Sequence, residues 1–462
     1  MSNYNESIQK SQSEPEAVKP HRPFFNARFS IEEGGIERVT DEERQQNTTK
    51  FWHAATFWFS ANMAVATLNI GSLGGSLGLP FWDCFIVILI VNITSNLLPA
   101  WTSVFGLTGL RMTTFSRYSF GYWGNMLVVI FSMIATTGWN AINSISGAAV
   151  LHAVSDGRFP IWAGVIVICV AVWVICVLGI TWIHRLDTFI WIPPLIVWCV
   201  AAGTGASQLT GEDHSRLQGS DKAAAILTFM ALIFSFSVSW VNCAADYNVR
   251  MPKDTPRWQI FGATYVGIFI PTVLVQTLGA ALYTGTTTNA TWKDAYTVSS
   301  IGGLLKMALE PAGGFGKFLM VLAALSSIPN NIPNNYSFAL HAQNLGPWAM
   351  RIPTLLSVIG YWTVIHITLV LEEHFIFRRG WNGYDFDAWN SVANLPFGWA
   401  AIGAFAFGFL GAALGMKTAW YSGPIASLIG KKGANIGHEL TFAFSGVVFP
   451  LFRWIEKHYG GR

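Results

Sequence analysis

From Ile161 to Ile183 the chain carries no Asp, Glu, Lys or Arg, and Leu127 to Ile134 and Ile226 to Val238 are equally uncharged. A helix needs about 20 apolar residues to cross the hydrocarbon of a bilayer, so runs of this kind decide what the chain can fold into. Only 11% of the 462 residues are charged and 52% are hydrophobic. Soluble domains carry about 25% charged residues, and a soluble chain this poor in charge could not cover its own surface. The strict apolar–polar alternation of a membrane barrel is absent, so the backbone must satisfy itself within helices. The sequence predicts an all-α integral membrane protein.

Eleven candidate spans follow from length and apolarity, at roughly 54–77, 81–101, 125–153, 159–182, 187–207, 222–243, 260–283, 314–340, 353–372, 396–416 and 436–454. Short polar or Gly/Pro-rich connectors join them, which reads as one bundle over 51–462 behind a polar, flexible tail over 1–50. The net charge of +3, with no dense Lys/Arg cluster, argues against nucleic acid as a partner. The five cysteines (Cys84, Cys169, Cys176, Cys199, Cys243) lie in or beside apolar runs at no metal or redox spacing. No Gly-rich loop followed by Lys-Ser/Thr offers an ATP-driven engine. Leu73 to Leu79 is glycine-rich, but within an apolar run it reads as a helix break or a close-packing site.

Basic residues in short loops set the orientation. Arg111 and Arg117, His184 and Arg185, and Arg250, Lys253 and Arg257 fall in alternate loops, which places these loops and the N-terminus in the cytoplasm. The loop from Thr284 to Gly313 is then external and holds Asn289-Ala290-Thr291, a glycosylation acceptor triplet. The rule meets a conflict after span eight. His341 to Arg351 and Phe377-Arg378-Arg379 both read as inside, yet a single span separates them.

Three segments place polar groups inside spans. Trp139 and Asn143 in span three are i and i+4 and share a helix face. A flat ring beside a carboxamide holds a planar, hydrogen-bonding heterocycle by stacking and by a donor–acceptor pair; an Asn bonded to a neighbouring helix is the structural alternative. Ser235, Ser237 and Ser239 alternate before Trp240, off the helix repeat, as in a bent or unwound helix. Trp240 is then a second aromatic wall or an interfacial anchor. In Pro329-Asn330-Asn331-Ile332-Pro333-Asn334-Asn335, Asn330 and Asn334 are i and i+4 with Pro333 between them, and both prolines free backbone carbonyls. That makes either a ligand patch or a kinked helix end. Asp83, Asp187, Asp246, Glu372, Glu373 and Glu439 lie near span ends and His366 nearer a centre; spacing singles out no proton-carrying residue. No nucleophile–base pair and no set of metal ligands occurs in the spans, so neither an enzyme nor a bound cofactor or metal is expected.

Taken together, long strings in the chain resemble the nucleobase–cation symporter family one, in its fungal purine–cytosine permease branch. They are GGIERV, FWFSANMAVATLNIGSLG, TGWNAINSISGA, SWVNCAADYNVRMPKDTP, SSIPNNIPNNYSFALHAQNLG and IGYWTVIHITLVLEEHFIFRRG, covering nearly everything from Gly34 onward. The resemblance implies an inverted-repeat, LeuT-like bundle of five plus five core helices and two accessory ones, with spans one and six discontinuous. It implies substrate held by Trp139, Asn143, Trp240, Asn330, Pro333 and Asn334, and import of cytosine and purines across the plasma membrane by alternating access.

Two departures from the family pattern matter. Sodium-coupled relatives place a Ser-Thr pair just before the first span-eight amide, where this chain has Ile328-Pro329. A hard cation needs oxygen ligands, so the expected coupling ion is the proton. The family has twelve spans, with one between strings that are here nearly adjacent, Gly346-Pro347-Trp348-Ala349 and Ile359-Gly360-Tyr361-Trp362. Span nine is therefore expected to be missing, where the charge conflict also falls. The alternatives are a permease for another small heterocycle such as a pyridine-type vitamin, or a nucleobase-binding sensor or inactive truncated variant.

Overall fold

In a computed structural model, residues 35–47, 50–177, 189–209, 217–344, 359–386, 388–389, 391, 394–417, 422–429 and 433–460 are described. The stretch over 345–358, where the missing span was expected, lies outside them, as does Asp187. Among the described residues the architecture is helical, with no β-strand. Five helical stretches are long and apolar enough to cross a membrane: Phe81–Thr108, Arg117–Val154, Gly219–Asn242, Arg257–Thr288 and Ile301–Asn344. Apolar residues face outward in stripes, as on one helix with Trp82, Ile86, Ile90 and Ile93 and on another with Trp162, Ile166, Val170 and Trp173. Spacings of three and four put each set on one helix face, which in a bilayer meets acyl chains rather than water.

The polar N-terminal segment is not a free tail throughout. Asp41–Gln45 forms a short helix, α1, capped by Thr40 Oγ1, which accepts from the Glu43 amide at 3.3 Å. The buried Arg44 donates from Nε to the Met251 carbonyl at 3.1 Å, Val39 N–H donates to the Gly109 carbonyl at 3.0 Å, and Lys253 Nζ reaches Asp41 Oδ2 at 2.7 Å. The Lys253 hydrogen bond, helped by Arg38 and Arg44, holds the Asp41 carboxyl below the usual carboxylate range.

Span one is two helices, α2 (Trp52–Asn62) and α3 (Val65–Ser76). Met63 (φ −78°, ψ 46°) and Ala64 (φ −116°, ψ 156°) between them leave the helical region. The chain continues through α4 (Phe81–Ser95), α5 (Leu97–Val104), α6 (Arg117–Val154), α7 (Ile161–Val177), α8 (Ile192–Gly205) and α9 (Gly219–Val238). A 3₁₀ turn at Ser239–Asn242 and further turns to Arg250 follow α9. Then come α10 (Arg257–Thr288), α11 (Ala290–Ser299), α12 (Ile301–Leu309), α13 (Gly313–Leu325) and α14 (Ser327–Asn344). The last three are α15 (Ile359–Glu372), α16 (Trp399–Gly415) and α17 (Gly437–Gly460). Asn289 of the predicted glycosylation triplet is the N-cap of α11, its Oδ1 accepting from the Thr291 amide at 2.9 Å.

Small residues let the broken span pack tightly. A Cβ at Gly71 would strike the Gln276 carbonyl of α10, and one at Gly279 the Leu68 carbonyl of α3, so the two backbones touch where both residues lack a side chain. The glycine-rich stretch from Leu73 is both a packing site and a helix end: Gly74 and Gly75 lie against Cys84, Phe229 and Tyr283, and the helix stops at Ser76 before Gly78 at φ 86°. Gly121 does break a helix. At φ 68°, ψ 175° it turns the start of α6 away from the rest, and a Cβ there would meet the Pro396 carbonyl.

At the far end of the bundle, α15 runs into a π turn at Glu373–Phe377 that carries Glu373 to complete burial. Arg453 of α17 binds Glu373 twice, Nε to Oε2 at 2.9 Å and Nη2 to Oε1 at 3.1 Å, and reaches Glu456 Oε2 at 3.0 Å. Glu456 Oε1 in turn accepts from the Gly398 and Trp399 amides at 2.7 and 3.1 Å, satisfying the N-terminus of α16. Removing one partner of a buried ion group strands the other charge, at about 3–5 kcal/mol. Arg453→Met is therefore expected to lower the melting temperature in detergent sharply, with Glu373→Gln added on top recovering part of the loss. An unshifted melt for the single variant would contradict this account.

Candidate functional site

α14 lies against α2, α6 and α7, and its asparagines meet the middle of the bundle. A backbone at that depth must bond within the protein, and the break in α2–α3 frees groups that α14 takes up. Asn330 Nδ2 donates to the Ala61 carbonyl at the end of α2, and Ser326 Oγ accepts from the Val65 amide at the start of α3 at 3.1 Å. Two side chains five residues or fewer apart thus satisfy both sides of the break.

Asn143 of α6 faces the same residues. Its Nδ2 donates to Asn330 Oδ1 and to Asn331 Oδ1, the latter at 2.9 Å. Its own Oδ1 is buried and has no hydrogen-bond partner. One turn earlier, the half-buried Trp139 also has its ring Nε1–H unpaired, and its ring meets Phe236 edge to face at 5.5 Å and 86°. An acceptor and a donor without a protein partner therefore lie one helical turn apart on α6, the donor on a ring that meets Phe236. That combination suits a flat ligand that both donates and accepts.

The remaining predicted residues distribute differently. Trp240 is buried, its Nε1 donating to Asn62 Oδ1 at 3.1 Å and its ring edge-on to Trp58 at 5.2 Å. It packs with Phe57, Trp58 and Ile328, whereas the aromatic group against Trp139 is Phe236. Asn334 Nδ2 bonds back to the Asn330 carbonyl at 3.1 Å, and the Pro333 carbonyl accepts from the Tyr247 hydroxyl at 3.0 Å. The helix is regular through Val238, and the 3₁₀ turn opens at Ser239, the last of the three serines. Ser235 donates to the Ala231 carbonyl at 2.7 Å and meets His438 Nε2 at 2.6 Å, Ser237 donates to Asn92 Oδ1 at 3.0 Å, and Ser239 donates to the Phe236 carbonyl at 2.7 Å.

Sequence reasoning missed Asn331 and Asn335. Asn331 Nδ2 donates to Ser144 Oγ at 2.9 Å, and Asn335 Nδ2 to Asn140 Oδ1 at 3.1 Å. Successive helical residues project about 100° apart, so the first doublet points Asn330 at the broken span and Asn331 at α6, and one turn on Asn335 again faces α6 while Asn334 bonds back along its own helix. The doubling itself was the signal, since a single column of amides would need only Asn330 and Asn334. Of the ionisable candidates, Asp83 pairs with Lys222 at 2.5 Å and Glu373 with Arg453 and Arg378, and His366 lies between Ser116 Oγ at 2.6 Å and Asn242 Oδ1 at 3.0 Å.

Known proteins resemble this chain in sequence and in fold. The family described as permeases for cytosine/purines, uracil, thiamine and allantoin matches residues 38–375. The purine-cytosine permease fcyB of Emericella nidulans is 33% identical over 466 residues, which is 94% of this chain and 91% of that protein. The purine-cytosine permease FCY2 of Saccharomyces cerevisiae is also 33% identical, over 95% of this chain and 88% of its own. The vitamin B6 transporter TPN1 of Saccharomyces cerevisiae is 28% identical over 94% of this chain and 89% of its own. Among solved structures, Mhp1 is a nucleobase-cation-symport-1 family transporter, solved in a closed conformation with bromovinylhydantoin bound. It matches with a TM-score of 0.63 at 14% identity, covering 93% of this chain and 97% of that one. At that identity the likeness speaks for the fold alone, an all-helical transporter fold, which agrees with the resemblance read from the sequence.

The amide cluster makes a stability prediction of its own. Asn331→Ala leaves the fully buried Ser144 with only Cys169 Sγ at 3.6 Å and removes one bond of Asn143, which costs about 1–3 kcal/mol. Asn335→Ala, at a partly exposed position, is expected to cost less. Thermal unfolding of the two variants in detergent checks the order, and equal melts would refute it.

Proposed function

This chain belongs to the family of permeases for cytosine/purines, uracil, thiamine and allantoin, and on that premise we propose that it imports cytosine and purines (adenine, guanine, hypoxanthine) by proton symport. Membership makes it a multi-pass membrane permease, a class of carriers rather than of enzymes. In this reading it lies in the plasma membrane with its N-terminus in the cytoplasm, as the basic loops favour. The observation that carries the substrate class is the pair Trp139 and Asn143, with an unpaired donor and acceptor one turn apart on α6. A nucleobase edge supplies the complementary acceptor and donor, and its ring stacks on Trp139. Trp240 contributes a second wall by its face, since Asn62 engages its ring N–H. Asn334 and the carbonyl of Pro333 border the same space from α14. Asn330 joins the ligand only by exchanging its bond to the Ala61 carbonyl, a device that links substrate binding to the break in span one.

Two observations support the proton as coupling ion. Ile328, in the place of a cation-binding hydroxyl, packs against Trp58 and Trp240, and the Ala61 carbonyl already accepts from Asn330. A hard cation would find few free oxygens there. A second substrate reading rests on the vitamin B6 transporter among the relatives.

Labelled cytosine uptake in permease-deficient cells is expected to saturate, to rise as the external pH falls and to collapse with a protonophore. Uptake indifferent to both treatments would sink proton coupling. Excess adenine is expected to compete and excess vitamin B6 not to; the reverse pattern transfers the chain to the second reading. Asn143→Ala and Asn334→Ala are each expected to weaken binding by about 1–3 kcal/mol, roughly 5- to 150-fold, with surface expression unchanged. Undiminished uptake in either removes that residue from the site.

A further inference from the structure

Proton symport requires a group that takes up a proton in one facing state and gives it up in the other. The acids and histidines of the bundle differ in what holds them. Glu373 and Glu456 are engaged by Arg453, and Asp83 by Lys222. Asp246 is completely buried in the turns after α9 and meets two separate parts of the fold, the segment before α6 and α14. Its Oδ1 accepts from the Met112 amide at 2.9 Å, in the segment leading to α6. Its Oδ2 accepts from Ser337 Oγ of α14 at 2.8 Å. Its own carbonyl accepts from Arg111 Nη1 at 2.7 Å.

Ser337 is three residues beyond Asn334, about 4.5 Å further along the same helix. The neighbouring Tyr247 donates to the Pro333 carbonyl at 3.0 Å, so residues 246 and 247 grip α14 on both sides of the proposed nucleobase amides. The acid therefore bonds α14 within one helical turn of Asn334, the amide proposed to meet the nucleobase. The other titratable groups around it are Arg111 from the segment before α6, Cys243 and Tyr247 from its own turns, and Tyr336 and His341 from α14. Of these only Arg111 carries a fixed charge. Burial pushes the Asp246 carboxyl up to about 6, against the lowering effects of Arg111, the Met112 amide and Ser337.

We propose that Asp246 carries the proton that is moved with the nucleobase, an inference that rests on the proton-symport reading above. The proton adds to Oδ2 on the substrate side and leaves the same oxygen toward the cytoplasm; no other bond is made or broken. Ionised, the carboxylate accepts from both Met112 N–H and Ser337 O–H. Protonated at Oδ2, it becomes a donor, so the Ser337 hydroxyl must turn and accept, and the attraction of Arg111 falls away. The Met112 amide still donates to Oδ1, but to a neutral carboxyl in place of a carboxylate, so that bond weakens. Protonation thus loosens the tie between the segment before α6 and the turns after α9 while keeping the tie to α14. That is a change in the helices that carry Asn143 and Asn334.

Purified protein in proteoliposomes, with labelled cytosine as the probe, separates exchange from accumulation. Asp246→Asn preserves the shape of the side chain and cannot titrate. It is expected to exchange cytosine across the membrane, to show no accumulation under an inward pH gradient, and to lose its dependence on external pH. Ser337→Ala removes one donor to the charged form, so its pH midpoint is expected to move upward with accumulation intact. Asp246→Asn accumulating with the wild-type pH profile overturns the proposal, and so does an unmoved midpoint in Ser337→Ala. Should Asp246→Asn not insert, the Ser337→Ala midpoint decides. A wild type that exchanges cytosine without accumulating it under a pH gradient overturns proton symport itself, and the assignment of Asp246 with it. A wild type whose pH gradient drives another heterocycle in place of cytosine changes only the substrate, and the same variants are then read with that compound.

Discussion

The break between α2 and α3 sets the terms for the rest of the structure. Interrupting a helix inside a membrane exposes an amide and a carbonyl where no water compensates, at several kcal/mol for each group left unmet. Here Asn330 takes the Ala61 carbonyl and Ser326 takes the Val65 amide. Once α14 is committed to the break, its other asparagines fall against α6, and the pairing of Asn143 with Asn330 and Asn331 follows. A device that satisfies backbone thereby also builds the polar centre of the bundle.

Tight apolar packing supports this centre from outside. Gly71 and Gly279 bring α3 and α10 into backbone contact, which holds the half of span one that follows the break against a continuous helix. The aromatic cluster of Phe57, Trp58, Trp240 and Tyr247 fills the other side, with Phe57 and Tyr247 stacked at 4.1 Å. The Glu373–Arg453–Glu456 group ties α15, α16 and α17 together far from the amides. A scaffold held apart from the polar centre in this way can stay rigid while the segments around Asp246 rearrange.

Much of this was legible in the residues. The uncharged runs from Leu127, Ile161 and Ile226 reported a helical membrane bundle because nothing else satisfies a backbone there. Trp139 and Asn143 declared a shared face by their spacing, and the Pro-Asn-Asn repeat declared an unusual polar helix. The alternating serines told part of the story: Ser235 and Ser239 bond back to carbonyls of their own helix and Ser239 opens the 3₁₀ turn, but Ser237 reaches Asn92 from a regular helix. The polar segment before span one looked free, since its charges have partners, such as Met251, more than 200 positions away.

By itself the sequence determined the class of fold, the order of its helices and the residue types at the centre, since these depend on local periodicity and on transfer from water. Only the tertiary structure decided which amide faces which helix, that Asn331 and Asn335 join the cluster, that Trp240 spends its N–H on Asn62, and that Asp246 lies between Met112 and Ser337. Those are contacts between residues as much as 195 positions apart, as for Asn140 with Asn335. Hydrogen bonds have direction and short reach, so their partners are set by how the helices are brought together and not by what stands next in the chain.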